Sequence, residues 1–283
     1  KLRASYGEVG NTDAIPAYAT QANIYQTFYD FDGTAAYGYT INNLSNQGLV
    51  WERSKEFNLG LDFSLSDIKL SGTLEYYKRN TVDLILDDKV PPSTGFSDVV
   101  NNVGEIENSG IELSLNSVNM STNDFQWQSN LTFTSNNDKV VKLAGGLTED
   151  IGNRRFVGES VRPHYSYKFD GIWQLGEEAD AAVFGQIPGQ VKVRDINGDG
   201  KINADDRMIL GKETPDWTAG LRNQLTYKNW DMSFFVYTRQ GQMFSNAFLM
   251  ATMGDISSER YNSSAELNYW TEDNPSNEYY GIK

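Results

Sequence analysis

Runs in which apolar and polar residues alternate are the feature that most constrains the fold of this chain. In residues 56–64, the side chains of Phe57, Leu59, Leu61 and Phe63 fall on one side of an extended chain, and the residues between them are polar or glycine. A period of two is typical of a β-strand with one apolar and one polar face. Several runs are about ten residues long or longer. That length exceeds the five or six residues usual in soluble sheets and is enough to cross a bilayer at a tilt.

The same alternation recurs along the chain and predicts seven long strands. We expect them at about residues 1–7, 54–64, 68–85, 108–118, 124–135, 216–228 and 230–241. The short connections are 65–67, 119–123 and Asn229, and the long ones are 8–53, 86–107, 136–215 and 242–283. In an antiparallel transmembrane barrel, short turns lie on one rim and long loops on the other. We therefore predict periplasmic short turns and extracellular long loops.

Two sets of side chains should face different environments if these strands form a barrel wall. The positions expected to face lipid are Phe57, Leu59, Leu61, Phe63, Leu70, Leu74, Ile111, Leu113, Leu115, Leu131 and Phe234. The positions expected to face the lumen are Glu56, Asn58, Asp62, Thr73, Glu75, Glu112, Gln128, Asn130, Arg222 and Gln224. The strand-like run 165–174 falls inside a long connection, so we expect it to belong to a folded loop and not to the wall.

Composition excludes several classes of function. The net charge of −14 leaves no basic stripe that could neutralise nucleic-acid phosphates. The chain has no cysteine, which removes disulfides, thiol nucleophiles and thiolate metal sites from consideration. Its one histidine, His164, has no accompanying serine-hydrolase motif and is interpreted as structural. The sequence therefore predicts no catalytic set.

Residues 195–206 form the one strong chemical motif. They read DINGDGKINADD and fit the twelve-residue calcium loop with Gly200 at its sharp bend. The predicted ligands are the side chains of Asp195, Asn197, Asp199 and Asp206, the Lys201 carbonyl oxygen, and Asn203 directly or through water. Position twelve holds Asp where such loops usually have Glu. The alternative is a polar turn that binds no ion, and no helix pattern with EF-hand spacing precedes the loop.

Two other classes of protein remain open on these patterns alone. A soluble β-sandwich or adhesin domain that binds calcium would show the same alternation, with its apolar face against a second sheet. A glycan-active enzyme would need a pair of carboxylates at a fixed separation, which the sequence does not place. Aromatic residues in 8–53 and 242–283 suit either stacking platforms for a ligand or an interfacial girdle.

Several segments resemble the SusC/RagA family of TonB-dependent outer-membrane transporters. They are LRASYGEVGNT (2–12), LVWERSKEFNLGLDFSL (49–65), GTLEYYKRNTVDLIL (72–86), NNVGEIENSGIELSL (101–115), KVRDINGDGKINADDRMILGKETPDWTAGL (192–221) and YWTEDNPSNEYY (269–280). The fourth segment is similar to a family stretch of the form N-G-x-I-x-N-x-G-x-E, here with Asn102, Gly104, Ile106, Asn108, Gly110 and Glu112.

The resemblance implies a fold and a function. The expected fold is all-β, a section of a large antiparallel barrel of about 22 strands. The expected function is uptake of an oligosaccharide or a peptide, with a SusD-like lipoprotein as a lid and a TonB complex as the energy source. We expect residues 1–283 to be a piece of a longer protein that provides later barrel strands and extracellular loops. The family's plug domain and N-terminal extension have no counterpart in these residues.

Overall fold

The computed structural model describes residues 1–66, 69–246 and 267–281. These residues form fifteen strands: β1 Leu2–Asn11, β2 Ile24–Phe31, β3 Thr34–Ile41, β4 Glu52–Leu65, β5 Leu70–Lys89, β6 Asp98–Ser121, β7 Phe125–Lys142, β8 Glu149–Asp150, β9 Arg155–Phe156, β10 Pro163–Tyr167, β11 Phe169–Ile172, β12 Val191–Val193, β13 Arg207–Lys212, β14 Trp217–Tyr227 and β15 Trp230–Gln240. One α-helix, α1, spans Glu178–Val183, and short 3₁₀ turns span Pro92–Thr94, Ala144–Gly146, Ile151–Asn153 and Ala204–Asp206.

The chain divides into two compact units. Unit 1 comprises Lys1–Arg162 with Thr214–Gln242, and unit 2 comprises Pro163–Glu213 with Met243–Lys283. Unit 1 contains a seven-stranded sheet in the order β1-β4-β5-β6-β7-β14-β15, and every pairing in it is antiparallel. The seven strands predicted from the alternation are therefore confirmed, and they form one antiparallel sheet.

Several strands extend beyond their predicted ends. The segment 86–107, predicted as a long loop, is mostly strand: β5 continues to Lys89 and pairs with the start of β6, as in the pair Lys89↔Asp98. Only the connection between Lys89 and Asp98 remains outside the ladder. A bulge at Asp83, whose φ is 59°, interrupts the register before the pairing resumes. The alternation breaks at such a bulge, so the pattern gives no sign of how far the ladder continues beyond it.

The long connections also contain structure of their own. The segment 8–53 holds a separate hairpin of β2 and β3. The run 165–174 lies in β10 and β11, which pair with β13 and β12 and not with the barrel strands, so its assignment to a folded loop is confirmed. The turn predicted at Asn229 consists of Lys228 and Asn229, with Lys228 in the left-handed region at φ 52°. Ile68, predicted to begin a strand, lies outside the described residues, and that strand begins at Leu70.

Each unit has a small core. The core of unit 1 contains Val140, Leu143 and Phe156, and it lies where the chain after β7 folds back on that strand. The Val140 N–H donates to the Glu159 carbonyl at 2.8 Å. In unit 2, Ile172 and Trp173 are 2% and 3% exposed. Within the described residues, no helix combines the length and apolar character needed to span a membrane.

Candidate functional site

The register places the two predicted sets of side chains on opposite faces of the seven-stranded sheet. Leu61 pairs with Leu74, Leu74 with Leu113, and Leu113 with Phe133, so one apolar row crosses four strands. Directly opposite residues share a face, and a shift of one residue would reverse both faces. Leu59 and Leu61 are 47% and 38% exposed, as expected for side chains that face lipid and not a second sheet. A soluble sandwich would bury them.

Aromatic residues mark both ends of the apolar face. Trp217 begins β14 and Tyr227 ends it, on the same side of the strand. Tyr227 pairs with Phe125 on one side and with Trp230 on the other. The eleven residues of β14 span about 35 Å along the strand, because each residue rises about 3.4 Å. At a tilt of about 40° that length covers about 27 Å of height, close to the apolar band of about 25 Å in outer-membrane barrels.

Charges cover the same outward face beyond this band. The Glu107 carboxylate forms ion pairs with Lys78 at 2.8 Å and with Lys139 at 3.1 Å. Lys78 lies two residues beyond the row that contains Trp217, and Glu107 and Lys139 lie four residues beyond it. The change from aromatic to charged side chains on one face marks the boundary between the apolar band and water.

The opposite face, which lines the lumen, is polar. Arg3 binds the Asp62 carboxylate at 2.9 Å and also reaches Glu75 on the next strand. The Tyr77 hydroxyl donates to Asn136 Oδ1 at 2.8 Å, and the ring crosses over Gly110 on its way. A Cβ on Gly110 would lie 2.7 Å from the Tyr77 hydroxyl oxygen, so the glycine lets this bridge form. The lumenal wall therefore carries paired charges and bridging amides that suit a hydrated interior.

One polar group on the apolar face was not expected. Asn223 is only 6% exposed and belongs to the outward set of β14. Its Oδ1 accepts hydrogen bonds from Trp127 Nε1 at 2.9 Å and from Ser129 Oγ at 2.6 Å. A buried amide needs such partners, and the indole supplies one while keeping its ring at the edge of the band. The alternation of a single strand gives no sign of this cross-strand network.

A second unexpected anchor holds the chain after β7 on the sheet. Asp138 is 8% exposed, and its Oδ2 accepts from Ser160 Oγ at 2.8 Å and from the Val161 N–H at 2.7 Å. A buried carboxylate bound to a hydroxyl and a backbone N–H fixes a loop more firmly than apolar contact alone.

The calcium-type loop folds around its own side chains. Asp195 accepts from the Gly198 N–H at 2.7 Å and from the Gly200 N–H at 2.8 Å. Asn197 Oδ1 accepts from the Asp199 N–H, and Asp199 Oδ1 accepts from the Lys201 N–H. Gly200 has a φ of 76°, which only glycine adopts readily and which the sequence predicted from its place at the bend.

Asp206 closes this loop from the interior of unit 2. Its side chain is fully buried and accepts from the Asn203 N–H at 2.8 Å and the Ile196 N–H at 2.9 Å. These backbone donors, that of Asn203 first, hold the pKa of the Asp206 carboxyl below its usual value. No ion pair to Asp206 is found in the described part of the chain.

The described residues nevertheless contain no group of three or more His, Cys, Asp or Glu side chains arranged to hold a metal ion. Backbone N–H groups of the loop donate hydrogen bonds to the carboxylates of Asp195, Asp199 and Asp206. Each oxygen that accepts one such bond keeps a further lone pair. The oxygen atoms of the loop are thus of the kind that a hard cation binds. In this structure the carboxylates are oriented toward the backbone N–H groups of the loop.

His164 serves the packing of unit 2. Its Nε2 lies 2.9 Å from the Met243 carbonyl oxygen. It lies on β10, whose partner β13 follows the calcium-type loop. This contact agrees with the structural interpretation of His164.

Comparison with known proteins identifies the family. Residues 1–279 match the family described as TonB dependent receptor-like, beta-barrel. TonB-dependent receptor P26 of Formosa agariphila is 37% identical over 290 residues, which cover 98% of this chain and 29% of the relative. TonB-dependent receptor SusC of Bacteroides thetaiotaomicron is 30% identical over 292 residues, covering 94% of this chain and 28% of that protein.

Solved structures agree with this result. A structure of the RagAB peptide transporter superposes with a TM-score of 0.75 at 25% identity, covering 99% of this chain and 31% of its counterpart. The RagAB peptide importer in its open-open state gives a TM-score of 0.77, with 99% and 30% covered. The chain spans less than a third of the length of these relatives. It belongs to the TonB-dependent receptor β-barrel family, among its SusC/RagA members, and forms part of the wall of a bacterial outer-membrane barrel.

Proposed function

We propose that the protein imports a bulky nutrient, an oligosaccharide or a peptide, across the bacterial outer membrane. The observation that carries the proposal is the two-faced sheet, with an apolar band about one bilayer high on one side and paired charges and amides on the other. Such a wall separates lipid from a hydrated lumen through which a polar solute can pass. Membership of the TonB-dependent receptor family supports active import over passive diffusion.

The proposal includes two partners and no catalytic step. A SusD-like surface lipoprotein would cap the extracellular mouth, and a TonB complex would supply energy through a plug region. Residues 1–283 would contribute wall strands and the extracellular connection between β7 and β14, since their match is to the barrel of the family. The relatives named SusC and RagAB support this assignment.

We also propose that residues 195–206 bind one structural calcium ion. Asp195, Asn197, Asp199, Asp206, the Lys201 carbonyl and Asn203 would hold it, because calcium takes six to eight oxygen ligands of these types. The support is the sharp bend at Gly200 together with the fully buried Asp206 carboxylate. A buried carboxylate is costly without a compensating positive charge, and a bound cation would supply one. The ion's role would be to fix the centre of the large loop.

Uptake by living cells tests the import function. Cells that lack the transporter and cells that carry it would be offered one pool of fluorescent oligosaccharides and one of fluorescent peptides. We expect one pool to accumulate only in transporter-bearing cells, and a protonophore to stop the accumulation because TonB coupling depends on the proton gradient. Equal uptake by both cell types, or uptake that the protonophore leaves unchanged, would contradict active import.

A further inference from the structure

Unit 2 contains a cavity that neither the wall nor the calcium-type loop uses. Its volume is about 430 Å³, within the usual range for small-ligand sites. The residues that matter for its chemistry are Leu175, Glu178, Ile187, Gln190, Trp270 and Glu272. They come from the segment around α1 and from the tract after residue 266, so the fold of unit 2 assembles the cavity from distant parts of the chain.

The indole of Trp270 is a fixed part of the cavity lining. Its Nε1 donates to Gln174 Oε1 at 3.0 Å, and Gln174 is in turn held by the Ile172 carbonyl at 2.8 Å. The ring packs directly on two glycines: a Cβ on Gly189 would lie 2.6 Å from Trp270, and one on Gly281 would lie 3.0 Å from it. Gly189 also has a φ of 88° and accepts a hydrogen bond from the Gly281 N–H at 2.8 Å. A pinned aromatic ring binds a ligand without an ordering cost at that position.

Two carboxylates give the cavity its charge. Glu178 and Glu272 both line it, and the lining contains no Lys, Arg or His among the described residues. The nearby cation Lys192 lies 3.0 Å from Glu177 and 4.2 Å from the Trp173 ring, and is not part of the lining. The Gly176 N–H donates to Glu178 and holds the pKa of that carboxyl below its usual value, so it is ionised at neutral pH.

These features together define the ligand. A cation over the face of Trp gains from the ring quadrupole, and two carboxylates strengthen that attraction. Leu175 and Ile187, 55% and 59% exposed, offer apolar surface for an alkyl stem. Both carboxylates are exposed, and like charges repel, so an anionic glycan would bind less tightly here than a cationic side chain.

We propose that this cavity binds a Lys or Arg side chain of a peptide, as a specificity site for imported cargo. The inference rests on the proposed import function and narrows its substrate to peptides with a basic residue.

Binding to the purified full-length transporter tests the proposal. The probes are three short fluorescent peptides that differ only at a central Lys, norleucine or Glu. We expect the Lys peptide to bind about tenfold more tightly than the norleucine peptide, a difference of about 1.4 kcal/mol, and the Glu peptide to bind most weakly. Norleucine keeps the apolar stem without the charge, so the comparison isolates the ammonium group.

Matched charge variants locate the effect. The double variant E178Q/E272Q should abolish the preference for Lys, while D180N/D273N, which removes the same charge from positions outside the lining, should preserve it. Equal binding of the Lys and norleucine peptides would overturn the proposal, as would equal loss in both double variants. Maltohexaose binding that is lost in Trp270→Leu but kept in E178Q/E272Q would also overturn it, by assigning the cavity to a neutral sugar.

The two levels of the proposal fail differently. If wild-type cells show no protonophore-sensitive uptake of any pool, the import function is wrong. If such uptake occurs but E178Q/E272Q takes up Lys and norleucine peptides as wild type does, only the cation site is wrong.

Discussion

Trp217 and Tyr227 lie at the two ends of one strand, on the same face, and at a barrel-strand tilt of about 40° they span about the height of the apolar band of an outer-membrane barrel. Their pairing partners extend this pattern, since Tyr227 lies between Phe125 and Trp230 in the sheet. Between the two aromatic ends, the row of Leu115, Leu131 and Leu221 crosses three strands near the middle of the band.

Arginine substitutions on adjacent residues should distinguish the two faces. Leu131→Arg would place a charge at mid-height against lipid and should lower the free energy of unfolding by about 2–4 kcal/mol. Thr132→Arg, one residue on and facing the lumen, should cost far less because water solvates the charge there. Urea unfolding in lipid vesicles measures both, and equal destabilisation would contradict the assigned faces.

The topology prediction places the short turns in the periplasm. The chain has no cysteine, so a Ser66→Cys or Ser93→Cys variant adds a single thiol to it. Ser93 lies in the 3₁₀ turn Pro92–Thr94 between β5 and β6, at the opposite end of the sheet from the turn at Ser66. On intact cells a membrane-impermeant maleimide should label Ser93→Cys and spare Ser66→Cys until the outer membrane is opened. Equal labelling of both sites would refute the orientation.

Calcium removal should loosen the large loop and leave the wall intact. We expect a chelator to speed proteolysis within 195–206 several-fold, and Asp199→Ala to do so without a chelator. Asp205→Ala removes the same charge from the same loop but lies outside the predicted ligand positions, and should behave as wild type in the presence of calcium. Cleavage rates that do not change with the chelator would contradict a bound ion.

Acid should weaken the turn before α1. The Gln174 N–H donates to the Glu177 carboxylate at 2.9 Å. This hydrogen bond, the larger cause, and the hydrogen bond from Lys192, the smaller one, hold the pKa of the Glu177 carboxyl below its usual value. A depressed folded pKa means that the stabilisation is fully present above the unfolded value of about 4.3 and is lost as pH falls through the folded value. Hydrogen exchange at Gln174, corrected for its intrinsic pH dependence, should rise in that window. In the Glu177→Gln variant the Gln174 N–H should exchange faster at neutral pH, and its exchange should no longer rise in that window. The Asp180→Asn variant should retain the rise.

The strands and their faces could be predicted because alternation is a local property. Phe57, Leu59 and Leu61 specify one face through their spacing alone, whatever strand lies beside them. The outer half of the β5–β6 ladder could not be predicted from the sequence, because it depends on tertiary contacts. Asn102 Nδ2, for example, donates to the Val50 carbonyl at 2.8 Å and the Asp83 carbonyl at 2.7 Å.

The candidate sites divide in the same way. The bend at Gly200 follows from a contiguous motif that the sequence displays. The Trp270 cavity does not follow from any contiguous motif, since Trp270 and its hydrogen-bond partner Gln174 are 96 residues apart in the chain. The aromatic residues of 242–283 suited a stacking platform or a membrane girdle, and only the fold brings Glu178, Glu272 and Trp270 to one cavity.

The most direct test of the central claim is a nitroxide scan of residues 56–63 on β4 in the whole transporter in lipid vesicles. Collision with oxygen, which concentrates in lipid, is compared at each position with collision with a water-soluble nickel chelate. The account predicts a period of two: oxygen dominates at Phe57, Leu59, Leu61 and Phe63, and nickel dominates at the residues between them. Accessibility that varies smoothly along the strand, or that favours nickel on both faces, would contradict a barrel wall between lipid and a hydrated lumen.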